Sequence, residues 1–229
     1  MIQLPKTIYQ TWMTKHLPVS IKSTIDDMLK INKNYEYQLF DDKDMLKYME
    51  ENCETDVFDC FNKLTIGAAK ADLWRYSILY ERGGIYIDVD SLIFANLDSL
   101  ILNDGCSIIS REKNQGKFVQ WCLMFTPKHP ILKICLDYCV ENIKQDKIKS
   151  ILELTGPVVY TRAINAFFGT DIYYATDQKI NSIKEQTKVR CHGYDYQGYA
   201  QFQHPNKNEL YMDKPHWTVE ENKQFGDRI

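Results

Sequence analysis

Apolar and polar positions recur along this chain with two different periods, and the switches between them mark its elements. Thr7-Ile8-Tyr9-Gln10-Thr11-Trp12 is short, β-branched and aromatic, as a strand requires. After Pro18 and Ser20, Ile21, Ile25, Met28 and Leu29 follow helical spacing until Asn32-Lys33-Asn34 breaks it. Tyr35 to Phe40 reads as a second strand, and Asp42 is placed to cap a helix carrying Met45, Leu46 and Met49. The alternation β-α-β-α predicts a parallel sheet with helices packed against it.

The most regular helix is expected from about Leu64 to Arg82, with Ala69, Leu73, Tyr76 and Tyr80 as its buried stripe. It stops at Gly83-Gly84, where a left-handed conformation costs little, and Ile85 to Val89 follows as an apolar strand. Cys106 to Ser110 and Val119 to Phe125 read as further strands, and Pro130 opens a helix through about Asn142. Thr155-Gly156-Pro157 precedes a last clear helix carrying Val158, Val159, Ala163, Ile164 and Phe167. Beyond about Ile172 the periodicity weakens, and residues 172–229 read as a loop-rich end of one domain spanning 1–229.

Composition narrows the class. The 229 residues carry 31 Asp+Glu against 28 Lys+Arg, so the net charge is 28 − 31 = −3, and the pI near 6.0 argues against a nucleic-acid binder relying on basic charge. With 44% hydrophobic and 26% charged residues the chain is an ordinary globular one. Tyrosine is in excess, at 15. The seven cysteines form no Cys-x-x-Cys pair and read as reduced, buried thiols. No apolar run approaches the roughly 20 residues that span a bilayer, and no secretory leader pattern opens the chain. A cytoplasmic protein without a transmembrane segment is expected.

The chemistry concentrates at Asp88-Val89-Asp90. Side chains alternate along a strand, so the two carboxylates project to one side, at the strand end where open α/β sheets bind ligands. Two such charges resist joint ionisation unless a cation lies between them, and a hard divalent ion with oxygen ligands, Mg²⁺ or Mn²⁺, resolves the conflict. The alternative is a pair of solvated or capping acids. On the preceding helix, Asp72 and Arg75 stand only ~60° apart at the edge of the buried stripe, either as a surface ion pair or as part of the same site.

The run from Ala69-Lys70-Ala71-Asp72-Leu73-Trp74-Arg75-Tyr76 to Gly83-Gly84-Ile85-Tyr86-Ile87-Asp88-Val89-Asp90 resembles the signature of a glycosyltransferase family. That family contains the yeast initiating α-1,6-mannosyltransferase and bacterial capsular sugar transferases, and is distantly similar to clostridial glucosylating toxins. Leu4 to Trp12, Tyr35 to Asp42 and Thr155-Gly156-Pro157 resemble further family segments in the right order, so the likeness spans about residues 4 to 168. It implies a GT-A fold, a Rossmann-like nucleotide-binding mixed sheet flanked by helices. It also implies a nucleotide-sugar donor, a divalent metal and retention of the anomeric configuration.

Carried onto this sequence, the resemblance makes Asp90 the principal metal ligand, with Asp88 assisting and holding donor hydroxyls. Asp72 and Arg75 would grip the transferred sugar. Thr11, Trp12 and Tyr86 would contact the nucleotide, Trp12 by stacking on the base or else as a core aromatic. A late His-Trp pair would close on the diphosphate; His216-Trp217 fits that shape, His216 as a further metal ligand and Trp217 as a donor to the leaving group, with His204 a weaker candidate. The acceptor is expected to be a glycan, a lipid-linked sugar or a protein side chain, met by rings such as Tyr194, Tyr196 and Tyr199. Two rivals are weighed. A haloacid-dehalogenase phosphatase needs its Asp-x-Asp near the chain start and a later acidic motif that Gly226-Asp227 leaves no room for. A non-catalytic nucleotide-sugar binder would keep the same acids without turnover.

Overall fold

The computed structural model describes residues 2–113, 116–202, 205–212 and 216–225. Strand β1 (Thr7–Thr11) leads to α1 (Val19–Ile31), β2 (Glu36–Phe40), α2 (Asp42–Asn52), α3 (Thr55–Lys63), α4 (Gly67–Arg82), β3 (Gly84–Ile87) and β4 (Leu92–Ile93). A 3₁₀ turn at Leu97–Ser99 precedes β5 (Ser107–Arg111), β6 (Cys122–Phe125), α5 (Pro130–Gln145), α6 (Ile151–Leu154) and α7 (Pro157–Phe168). The chain continues with α8 (Asp177–Ser182), α9 (Lys184–Thr187), β7 (Val189–Tyr194), β8 (Ala200–Gln201), a 3₁₀ turn at Lys207–Tyr211 and α10 (Trp217–Phe225).

The main sheet has the order β2-β1-β3-β6-β5-β7. β1 runs parallel to β2 and β3, and β5 parallel to β7, but β6 is antiparallel to both its neighbours. The sheet is therefore mixed, as a GT-A fold requires, and not the wholly parallel one that the opening alternation predicts. The reason is local: a short connection without a crossover helix joins β5 to β6, which obliges the chain to reverse direction. β4 and β8 form a separate two-stranded antiparallel ladder.

Alternation along the strands divides the interior into two cores. Tyr9, Tyr86, Leu123 and Phe125 face the helical layer, where Met45, Phe61, Leu73, Leu132 and Val159 meet them. Their neighbours Ile8, Ile85, Ile87 and Met124 face the other way, onto Ile21, Ile25 and Met28 of α1.

Several local readings are corrected. Asp41, not Asp42, caps α2: its carboxylate accepts from the amides of Lys43 and Asp44, and Asp44 reaches back in a capping box. The long helix begins at Gly67, because Leu64 is already the C-terminal cap of α3, a helix not expected from the pattern. α4 has no single buried stripe, since Asp72 through Leu79 are all buried between the sheet and the other helices. Among the described residues of the loop-rich stretch 172–229 there are two strands, one of them in the main sheet, and three helices.

At the end of α4, Gly83 has φ +66°. A Cβ there would lie 2.6 Å from Pro127 Cδ and 2.7 Å from Pro127 N. The glycine thus permits both the left-handed cap and the close approach that turns α4 directly into β3.

Candidate functional site

Beyond β3 the chain carries Asp88 and Asp90 out of the sheet beside the buried face of α4. The Asp88 amide donates to the Trp121 carbonyl at 2.8 Å, so the connection leading into β6 fixes the backbone at this point. Gln10 of β1 donates its side-chain amide to the Asp88 carbonyl at 3.2 Å. β1 and the connection into β6 thereby hold the Asp88 backbone in place.

Arg75 lies at the centre. Its Nη2 is 3.1 Å from Asp88 Oδ1 and 3.4 Å from Asp72 Oδ1, its Nη1 donates to the Gln120 carbonyl at 3.1 Å, and its guanidinium lies 4.2 Å from the centroid of the Tyr86 ring. The Asp72 and Arg75 side chains are each 7% exposed, which excludes a surface ion pair. Asp72 is fully engaged: Oδ1 accepts from Gln120 Nε2 at 2.8 Å and Oδ2 from Thr155 Oγ1 at 2.9 Å. The Tyr76 hydroxyl closes the network, accepting from Gln120 and donating to the Thr155 carbonyl. Burial pushes the Asp72 carboxyl above its ordinary value despite the nearby guanidinium. Burial works against the Arg75 charge, but Asp88, Tyr86 and Asp72 together hold it above the usual range.

Asp88 is more open, at 26% side-chain exposure, and accepts the Tyr86 hydroxyl at 2.6 Å. Tyr86, expected as a nucleotide contact, is itself buried and acts on Asp88 from beneath. Asp90 is half-buried, and burial followed by the charge of Asp88 pushes its carboxyl up to about 6. That conflict is the one a divalent cation would relieve, so the two acids fit such an ion as oxygen ligands with positions left for water or phosphate.

Around Asp90 a row of rings assembles. Trp12 meets Tyr211 edge-on at 5.4 Å, Tyr211 meets His216 at 5.0 Å, and His216 meets Trp217 at 5.3 Å. The Tyr211 hydroxyl donates to Asp90 Oδ2 at 3.4 Å. Tyr211 thus touches Asp90 directly, with Trp12 and His216 packed on its ring and Trp217 one ring further on. Among the described residues no three His, Cys, Asp or Glu side chains converge to hold a metal, and His216 Nδ1 is 3.0 Å from Thr218 Oγ1. Burial, with the nearby Lys207 charge, holds the His216 ring below its ordinary value. Thr11 is also separate from the cluster, its buried hydroxyl donating to the Phe40 carbonyl. His204 lies outside the described residues, as do Gly226 and Asp227.

The expected acceptor rings divide. Tyr196 is a core residue whose hydroxyl donates to the Ile108 carbonyl at 2.9 Å, whereas Tyr194 is exposed beneath the Arg111 guanidinium and Tyr199 is half-buried. Sequence reasoning missed Gln120 and Tyr211. Nothing in their local pattern marks them, because each reaches the site only through tertiary contact.

Residues 18–106 match the model of a glycosyltransferase sugar-binding region containing the DXD motif. An uncharacterized glycosyltransferase of Acanthamoeba polyphaga mimivirus is 25% identical over 169 residues, 72% of this chain and 66% of that protein. The initiation-specific alpha-1,6-mannosyltransferase of Candida albicans is 25% identical over 205 aligned residues, 70% of this chain and 52% of that protein. The chain therefore spans about half to two thirds of these relatives' length. Among solved structures, the PaToxG glycosyltransferase superposes with a TM-score of 0.62 over 86% of this chain and 88% of that one, at 19% identity. The family model thus covers residues 18–106 within the stretch that carries the resemblance, and the fold is GT-A-like. No helix among the described residues is long and apolar enough to cross a membrane.

Proposed function

We propose that this chain transfers a hexose from a nucleoside diphosphate sugar, a UDP-hexose or GDP-mannose, to a hydroxyl of a glycan, lipid-linked sugar or protein acceptor. The observation that carries this reading is Arg75 held between buried Asp72 and the more open Asp88, the first acid of the Asp88-Val89-Asp90 pair. Asp90 and Asp88 would hold Mn²⁺ or Mg²⁺, which when bound supplies positive charge to the departing diphosphate. Trp12 would stack on the nucleotide base and Trp217 would donate to the departing diphosphate. A reducing, cytoplasmic setting is part of the same reading.

Transfer breaks the bond between the anomeric carbon and the diphosphate oxygen, which keeps the electron pair, and forms a bond to the acceptor oxygen. Positive character develops on the sugar, and Asp72 and Asp88 provide the electronegative surround it needs. Asp72 is poorly suited to act as a nucleophile, since both its oxygens accept hydrogen bonds from Gln120 and Thr155 and one also faces Arg75. We therefore favour attack from the face the diphosphate leaves, with retention, the acceptor proton passing to the departing phosphate oxygen.

A thermal-shift and donor-hydrolysis screen of UDP- and GDP-sugars, with and without Mn²⁺, tests this. Metal-dependent stabilisation with turnover is expected for at least one donor. Stabilisation without turnover, even with acceptor glycans supplied, would make the chain a nucleotide-sugar binder, and no response to any donor would overturn the reading.

A further inference from the structure

A second feature flanks the acidic pair. Phe202 is 47% exposed, yet its ring lies nearly parallel to that of Trp121, with centroids 5.5 Å apart and planes at 27°. Trp121 is only 5% exposed and is braced edge-on by the buried Tyr196 ring at 6.3 Å. A single exposed phenylalanine needs no explanation, but one stacked on a buried, braced indole presents a rigid aromatic face.

Backbone pairing places this face at the site. The Trp121 carbonyl accepts the Asp88 amide at 2.8 Å. In the β4–β8 ladder Leu92 pairs with Gln201 and Ile93 with Ala200, so the register continued by one residue sets Phe202 opposite Ser91, next to Asp90. Trp121 is thus bonded through its backbone to Asp88, and the ladder brings Phe202 toward the other end of the acidic pair.

We propose that the Phe202–Trp121 stack is the acceptor subsite and that its ligand is a pyranose ring, whose C–H face lies on Phe202 while its hydroxyls point toward Asp88 and Asp90. The inference rests on the transferase reading and adds the chemical class of acceptor. The negative face of an aromatic ring suits the polarised C–H bonds of a sugar. Gln201, which is exposed, offers hydrogen-bonding groups beside the ring, where a lipid chain would need a continuous apolar trough.

The test is saturation-transfer NMR of the full chain with Mn²⁺ and UDP or GDP, using methyl α-mannopyranoside, methyl β-glucopyranoside and methyl β-galactopyranoside as probes. At least one glycoside is expected to bind saturably; Phe202→Ala weakens it by about five-fold or more, and Phe202→Trp restores it. Binding of equal strength in Phe202→Ala, or no binding by any probe while the nucleotide still stabilises the protein with Mn²⁺, would overturn the proposal and leave the transferase reading standing. Glycoside binding that depends on Phe202 without any nucleotide response would support the subsite and remove the transferase reading instead.

Discussion

The phenol of Tyr211 donates to Oδ2 of Asp90 across 3.4 Å, tying the end of the chain to the acidic end of β3. The same stretch is anchored on both cores: Leu210 is buried in the one beneath α1, and Trp217 packs against the other. Glu209 accepts from Ser20 of α1 at 2.6 Å, and Glu221 accepts the Ile151 amide at the start of α6 at 2.7 Å. A segment 121 residues away in sequence thus reaches the acidic end of β3, a strand in the interior of the sheet.

A bound cation would compete for the oxygen that Tyr211 occupies. Tyr211→Phe keeps the ring contacts with Trp12 and His216 and removes only this bond, so metal-free stability should fall by about 1 kcal/mol or less. Calorimetric titration with Mn²⁺ should show binding tightened a few-fold; equal or weaker binding would show that phenol and cation do not compete.

Asp90 is held half-buried beside Asp88, and the folded protein bears that repulsion when both are ionised. Asp90→Asn removes it, so the metal-free melting temperature at pH 7 should rise, by the equivalent of about 1–2 kcal/mol. The same variant should lose Mn²⁺-dependent stabilisation and transfer. A lower metal-free melting temperature would show that the charge is already compensated.

Arg75 neutralises two carboxylates at once. Arg75→Ala leaves Asp72 buried without its cation and should cost about 3–5 kcal/mol in denaturant unfolding. Arg75→Lys keeps the charge but cannot reach Asp72, Asp88 and the Gln120 carbonyl together, so it should retain more stability than the alanine variant and little donor hydrolysis.

Gly83→Ala forces a Cβ into Pro127 at a backbone conformation that L residues rarely adopt. A loss of more than about 2 kcal/mol is expected, read as a drop in melting temperature, with reduced donor binding because β3 carries Asp88. A neutral effect would mean that the α4–β3 junction shifts freely.

His129 gives the fold a signed response to acid. Its ring is 3% exposed and its Nδ1 accepts the Ile131 amide at the start of α5; burial lowers its pKa from the usual 6.5 to about 4. The unfolded chain takes up this proton first, so stability is complete above about pH 6.5 and declines as pH falls toward 4, by on the order of 2 kcal/mol. His129→Asn keeps a capping oxygen and should flatten that part of the stability–pH profile relative to the natural sequence. A profile of unchanged slope would assign the proton uptake to other groups.

How far the sequence spoke depends on the range of the contact involved. The succession of α4, Gly83-Gly84 and β3 was legible because periodicity, cap and strand are local signals, and the placement of Asp72 one turn from Arg75 followed from helical geometry alone. α3 was not, since Val57, Cys60 and Phe61 give too short a pattern. The partners of Asp72 were equally hidden: Gln120 arrives from 48 residues away and Thr155 from 83. Tyr196 shows the reverse error, a residue taken for a sugar-facing ring in a polar stretch that the fold turns inward.

The burial of α4 on every side from Asp72 to Leu79 bears on how such a protein could diversify. A helix with no free face tolerates few replacements, because each one must be answered by repacking on several neighbours. New donor or acceptor preferences in descendants of this chain would therefore accumulate in the surrounding connections, near Gln120 and Trp121, around Thr155, and between Tyr199 and Trp217, while the helix itself stays almost fixed.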